Sequence, residues 1–272
     1  METSRQVLYI FCFARPNLVG AIEGAGVDDG QTLRVFPHSP ALCAIICEVA
    51  QEDFCGPAAE QRMQQLAWVG PRALRHEAVV EMVMRRSPVL PVRFGTLFSS
   101  PASLAEFLET HHKTISQFLD RMANQEEWSL KGLLDRKQAA QARISAGLES
   151  QQKLLAKLPP GTRYFQEQRI RSGAEKELTR WLDQICRHVA SDLVQRAEDF
   201  RECPVVSHEH PESGTEVVLN WAFLLPLGSS PAFRARIDQL NSSNAPAGLV
   251  LEMSGPWPPY RFVPPLSMDA SP

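Results

Sequence analysis

Glu127-Trp128-Ser129-Leu130-Lys131-Gly132-Leu133-Leu134 is the stretch on which the fold turns. Trp128, Leu130 and Leu134 share one phase of a two-residue period and Ser129 and Lys131 the other, the period of a strand with one covered face. The period then changes. Across Lys137–Leu158, the residues Ile144, Leu148, Leu155 and Leu158 fall on one helical face, and Pro159-Pro160-Gly161 ends the run. The same spacing predicts a second long helix from Phe165 to Arg201, with Leu178, Leu182, Ile185, Val189, Leu193, Ala197 and Phe200 in register.

Two strands are predicted next, Cys203–His208 and Val217–Leu225, joined by a loop containing Pro211 and Gly214. Ser230-Pro231 opens a helix carrying Phe233, Ile237 and Leu240, and Leu249, Leu251 and Met253 alternate with polar or smaller residues on a last strand. The order is strand, helix pair, strand, strand, helix, strand. That is the ferredoxin-like split β-α-β order with its first crossover enlarged into a helical hairpin, which implies an antiparallel sheet with helices on one face.

Upstream, Val7–Ala14 and Leu42–Val49 are apolar runs bounded by polar and turn residues, read as buried strands, with Thr32–Phe36 as a further strand. Pro57 and Pro71 each suit the first turn of a helix, and Gly70 suits a C-terminal cap between two helical segments. On the second, from about Arg72 to Arg86, Leu74, Ala78 and Met82 form one apolar stripe and Val79 and Val83 another. Val89–Phe98 reads as a strand that Pro91 confines to an edge or a strand start. Ser103-Leu104-Ala105-Glu106 has capping-box spacing at the head of a helix that ends near Ala123. The expectation is two α+β domains, an N-terminal one over 1–124 and a C-terminal ferredoxin-like one over 125–272 with a proline-rich tail.

With 272 residues and 44% hydrophobic content, the chain can bury such cores. A net charge of -3 gives no global reason to expect nucleic acid or an anionic lipid membrane as partner. The apolar run Val7–Ala14 is too short to span a bilayer and lacks signal-peptide flanks, so a cytoplasmic location is expected. Six cysteines without a Cys-x-x-Cys pair read as small buried hydrophobes.

Patterns that carry chemistry are incomplete. His76-Glu77 starts like a zinc-protease helix, but position 80 is Val80, so His76 reads as a partly exposed helix residue. His208 and His210 point to one face of a regular strand and Glu212 could supply a third ligand, but a turn beside polar residues is more often simply solvated. His111 falls in register with Leu104 and Ile115 and reads as a packed histidine. Gly24-Ala25-Gly26 lacks the third glycine of a dinucleotide loop, and Ser254 does not sit in a nucleophile elbow. The expectation is no catalytic residue, no cofactor and no metal.

Two motifs stand out instead. Arg93-Phe94-Gly95-Thr96 places a cation, a ring and a permissive backbone site at a strand end, and Trp257-Pro258-Pro259-Tyr260 forms an aromatic, proline-stiffened hook. Arg93, Phe94, Gly95, Trp257, Pro258, Pro259 and Tyr260 are therefore the candidate residues, either for protein interaction or as a structural staple.

With His76-Glu77-Ala78-Val79-Val80-Glu81, the run Val89–Thr96, Glu127-Trp128-Ser129-Leu130-Lys131 and Gly255–Phe262 in this order, the chain resembles the GvpL/GvpF family of gas vesicle proteins. The resemblance implies an α+β accessory protein that acts in gas vesicle assembly with the major shell protein and other accessory proteins. It allows retention as a minor shell component, and it brings no catalytic residues. Ser129-Leu130 and the stretch Gly161–Phe165 depart from the family pattern and leave the subtype open. The competing readings are a ferredoxin-like small-molecule-binding protein or enzyme, and a zinc protein built on His208 and His210.

Overall fold

The computed structural model describes residues 5–205 and 214–266. By contact density the chain divides into two compact units. One comprises Met1–Glu126 with Trp257–Pro272, the other Glu127–Pro256. The sequence reading puts all of 125–272 in one domain, whereas the units group the chain from Trp257 onward with the first. Tyr260 shows the physical reason, since its hydroxyl donates to Glu77 Oε2 at 3.1 Å.

The first unit contains β1 (Gln6–Ala14), α1 (Pro16–Val19), β2 (Arg34–Ser39), β3 (Leu42–Ala50), α2 (Gln51–Phe54), α3 (Pro57–Met63), α4 (Leu66–Met84), β4 (Val89–Pro91), β5 (Leu97–Phe98) and α5 (Pro101–Met122). Its sheet runs β2-β3-β1-β4, with β5 also paired to β1. β1 is apolar along nearly its whole length because both of its faces are covered. Tyr9 and Phe11 meet His76 of α4, while Phe13 stacks on Phe107 of α5. The pairing of β1 with β3 shifts between Ile10 and Cys12, a bulge that leaves Phe11 as the extra residue. As a result Val7, Tyr9 and Phe11, then Cys12 and Ala14, all join one core cluster.

Three expectations for this unit need correction. α4 is one helix from Leu66, with Pro71 inside it. Gly70 is therefore not a cap between two helices; Pro71 lies within the first two turns, where few backbone bonds are lost. The buried face of α4 is His76, Val79, Val80 and Val83, while Leu74 and Ala78 are exposed. Finally, α5 starts three residues earlier than its Glu106 suggests. Ser100 and Ser103 make the reciprocal cap, and Pro101 takes the first helical position.

The second unit contains β6 (Gln125–Leu134), α6 (Arg136–Ser150), α7 (Gln152–Leu155), α8 (Pro160–Val194), β7 (Asp199–Glu202), β8 (Glu216–Pro226), α9 (Ser230–Asn244) and β9 (Leu249–Trp257). Its sheet order is β7-β8-β6-β9, the ferredoxin-like order, with α6 to α8 as the enlarged crossover. Val189 and Leu193 of α8 and Phe233, Ile237 and Leu240 of α9 pack on Trp128, Leu130, Leu219, Trp221, Phe223 and Leu251.

Here too the sequence reading is corrected at one junction. α8 ends at Val194, and Phe200 lies in β7 opposite Phe223 instead of continuing the helix. Its ring reaches the same core from a strand, 5.1 Å from Phe223, so helical spacing misreads a change of backbone. The strand expected over Cys203–His208 is instead β7, Asp199–Glu202; residues 203–205 are not strand, and 206–208 lie outside the described residues.

Candidate functional site

β4 and β5 are two halves of one interrupted edge strand. Val89 pairs with Ala14 and Pro91 with Cys12, whereas Leu97 pairs with Tyr9 and Phe98 with Leu8. Between the halves the chain leaves β1, and Arg93, Phe94 and Gly95 form the excursion. Val92 N–H still donates to Phe11 O at 3.2 Å, and Ile10 N–H to Thr96 O at 3.0 Å, so both feet of the excursion stay on the sheet. Thr96 closes it, its N–H and hydroxyl both donating to Arg93 O at 3.2 and 2.7 Å. Gly95 has φ +82°, which an L side chain adopts only with strain.

A buried polar relay holds this turn from beneath. His76 Nε2 lies 3.1 Å from Val92 O, which can only accept, so the proton is on Nε2. His76 Nδ1 is then the acceptor, and Tyr9 Oη donates to it at 2.8 Å. Tyr9 Oη in turn accepts from Gly95 N–H at 3.3 Å. One tyrosine and one histidine thus bind both shoulders of the turn. Burial lowers the His76 pKa to about 4, with the Val92 hydrogen bond opposing, which keeps the ring neutral in this role. Burial also raises the Tyr9 hydroxyl well above its usual range. Phe94 packs among Tyr9, Phe54 and His76 at ring distances of 6.0 to 6.3 Å.

His76 is 2% exposed, which overturns its reading as a partly exposed helix residue. Two signals in the sequence pointed the other way. A lone tyrosine inside the apolar run Val7–Ala14 needs a polar partner, and His76 precedes Val79, Val80 and Val83 at helical spacing.

At the other motif, Pro258 and Pro259 are buried, Tyr260 is half-buried and Trp257 is 40% exposed. Burial, and then the neighbouring Glu77, raise the Tyr260 pKa, and burial raises that of Glu77. Gly255 lies against the Glu127-Trp128 pair. It has φ +137°, and a Cβ there would come 3.1 Å from Glu127 O and from the Trp128 ring.

The two motifs meet in one place. A cleft of about 610 Å³ is lined by Arg93, Gly95 and Thr96 from the turn and by Tyr260 from the hook, with Leu90 and Phe98 among its apolar walls. Arg93 is exposed, and no ion pair to it is found among the described residues. Trp257, Pro258 and Pro259 do not line this cleft. Phe94 turns into the core instead. Among the described residues no group of three or more His, Cys, Asp or Glu could hold a metal ion, and His208, His210 and Glu212 lie outside them. His111 is half-buried, 4.5 Å from the Phe107 ring.

Fold and site define an α+β protein with a ferredoxin-like second sheet and a tethered edge-strand turn beside a cleft. The gas vesicle synthesis protein GvpL/GvpF family matches residues 7–264, and the chain belongs to that family. Gas vesicle protein L of Streptomyces sp. (strain CB03234) is 26% identical over 96% of this chain and 94% of its own length. Gas vesicle protein F of Dolichospermum flosaquae is also 26% identical, over 70% of this chain and 76% of its own, so identity does not separate the two branches. The crystal structure of gas vesicle protein GvpF from Anabaena sp. PCC7120 superposes with a TM-score of 0.69 over 95% of this chain and 98% of that one. At 17% identity this is a likeness of fold.

Proposed function

We propose that this protein serves gas vesicle assembly as a binding protein without a reaction of its own. It covers the small hydrophobic shell protein, together with other accessory proteins, in the cytoplasm and can stay on the vesicle as a minor shell component. A shell subunit that faces a gas space exposes apolar area that aggregates unless covered. One observation carries this reading: the turn and Tyr260 of the hook line the same cleft, and the Trp257 ring, close by in sequence, is 40% exposed. Rings bind at small entropic cost, and the two buried prolines hold the backbone between Trp257 and Tyr260 stiff.

Co-purification with the shell protein tests it. Trp257→Ala should weaken retention by on the order of 2 kcal/mol with little change in Tm. Unchanged retention at unchanged Tm, for both Trp257→Ala and Arg93→Ala, would rule this surface out. A small-molecule site is the second reading, favoured by the cleft volume of about 610 Å³, within the roughly 300–1,000 Å³ usual for ligand pockets. A ligand that raises Tm in the wild type and not in a cleft-filling Val92→Trp variant of normal stability would support it.

A further inference from the structure

We propose that the cleft beside the Arg93–Thr96 turn takes an extended apolar segment of a partner protein, and that an Asp or Glu side chain on that segment pairs with Arg93. This deepens the reading of the cleft as a partner-binding surface and rests on it.

Charge is the first ground. Among the described residues Arg93 is the single charged one lining the cleft, whose walls mix apolar side chains such as Leu90, Val92, Phe98 and Val263 with Gln51, Thr96 and Ser99. A guanidinium at the mouth of a cleft favours a carboxylate, because its planar fork can donate two parallel hydrogen bonds to one. Preorganisation is the second. Val92 and Gly95 are tied to His76 and Tyr9, so the backbone carrying Arg93 is held before any partner arrives. Little ordering entropy is then lost on binding.

The sheet edge is the third ground and favours an extended chain. Thr96 O is used by Ile10 N–H, and Leu97 pairs with Tyr9. By the alternation of an antiparallel ladder, the N–H and C=O of Leu97 turn away from β1, and no backbone partner for them is found among the described residues, so a strand can add to them. Pro91 and the shortness of β5 blunt this edge, so backbone pairing alone is weak and the charge contact sets which segments bind.

The test is affinity selection with the purified full-length chain from random peptides capped at both ends. Selected peptides should share an Asp or Glu among apolar residues at alternate positions. Replacing that acid by its amide should weaken binding about tenfold to the wild type and less than twofold to Arg93→Gln of unchanged Tm. Three results overturn the proposal: no acidic preference, an equal acid-to-amide gap on Arg93→Gln, or binders found only in a second library whose sole carboxylate is the chain terminus. Shell-protein retention is measured separately. If peptides bind as described but Arg93→Gln and Trp257→Ala both retain the shell protein fully, the shell-protein reading fails and the cleft chemistry stands. If Trp257→Ala loses the shell protein while no acidic preference exists, only this inference fails.

Discussion

β1 and β9 are both nine-residue strands, yet β1 buries every residue after Gln6 while β9 buries only Leu249 and Leu251. The difference is what lies on the second face. β1 sits between α4 and α5, so no position along it is free to be polar, and its sequence QVLYIFCFA carries no alternation to read. β9 keeps a wet face, and its buried Leu249 and Leu251 alternate with the exposed Val250 and Glu252. A doubly covered strand thus conceals its register, its bulge and its special contacts, while a strand with one open face displays its orientation in its sequence.

The largest expected effect breaks the symmetry between these strands. Phe13→Ala removes a fully buried ring stacked on Phe107 and should cost about 3–5 kcal/mol in urea unfolding. Val250→Thr, on the open side of β9 and 37% exposed, should stay within about 0.5 kcal/mol. Comparable losses at both sites would mean that β9 is covered on both faces as well.

Acid sharpens the contrast next. The folded pKa of His76, about 4, lies below its unfolded value, so the unfolded state binds the proton first as pH falls. The neutral ring therefore contributes fully above about pH 6.5, and that contribution drains away down to about pH 4, by on the order of 3 kcal/mol. Glu77, with its pKa raised by burial, works in the opposite direction. Subtracting the pH–stability curve of His76→Gln from that of the wild type isolates the histidine, and parallel curves would refute its buried neutral role.

Smaller effects probe the turn itself. Tyr9→Phe removes the donor to His76 Nδ1 and the acceptor for Gly95 N–H, with an expected loss of about 1–3 kcal/mol and faster hydrogen exchange at Gly95. Gly95→Ala forces a methyl group onto φ +82° and should cost about 1 kcal/mol, read as a shift in the urea midpoint.

The legibility of the two units follows the same physics. The ferredoxin-like order could be read because β6 and β9 alternate and because the proline pair at 159–160 separates two clear helices. β8 is covered on both faces between Trp221 and Leu225, and at the junction before it Phe200 keeps helical spacing although it lies in a strand. In the first unit the strands were found but their chemistry was not. Tyr9 gives no periodic signal inside an apolar run, and the histidine absent at Val80 says less about His76 than the valines that share its face. Arg93, Gly95 and Tyr260 were legible as a motif, but their common cleft was not, since an interrupted edge strand leaves no periodic trace. Pro71 and Ser100 show the limit of local signals, because a proline early in a helix and a serine just before one each admit two starting points.

The bulge at Phe11 makes β1 a carrier of phase. Each residue of a strand advances its side chain by half a cycle, and the one uncounted residue at Phe11 resets the clock, so that odd positions before it and even positions after it point the same way. Chain length between Val7 and Ala14 is therefore as strongly constrained as composition. Substituting one apolar residue for another leaves the parity intact. Deleting a single residue there would exchange inside for inside, aiming Phe13 toward α4 and Cys12 toward α5, two environments of equal dryness and different shape.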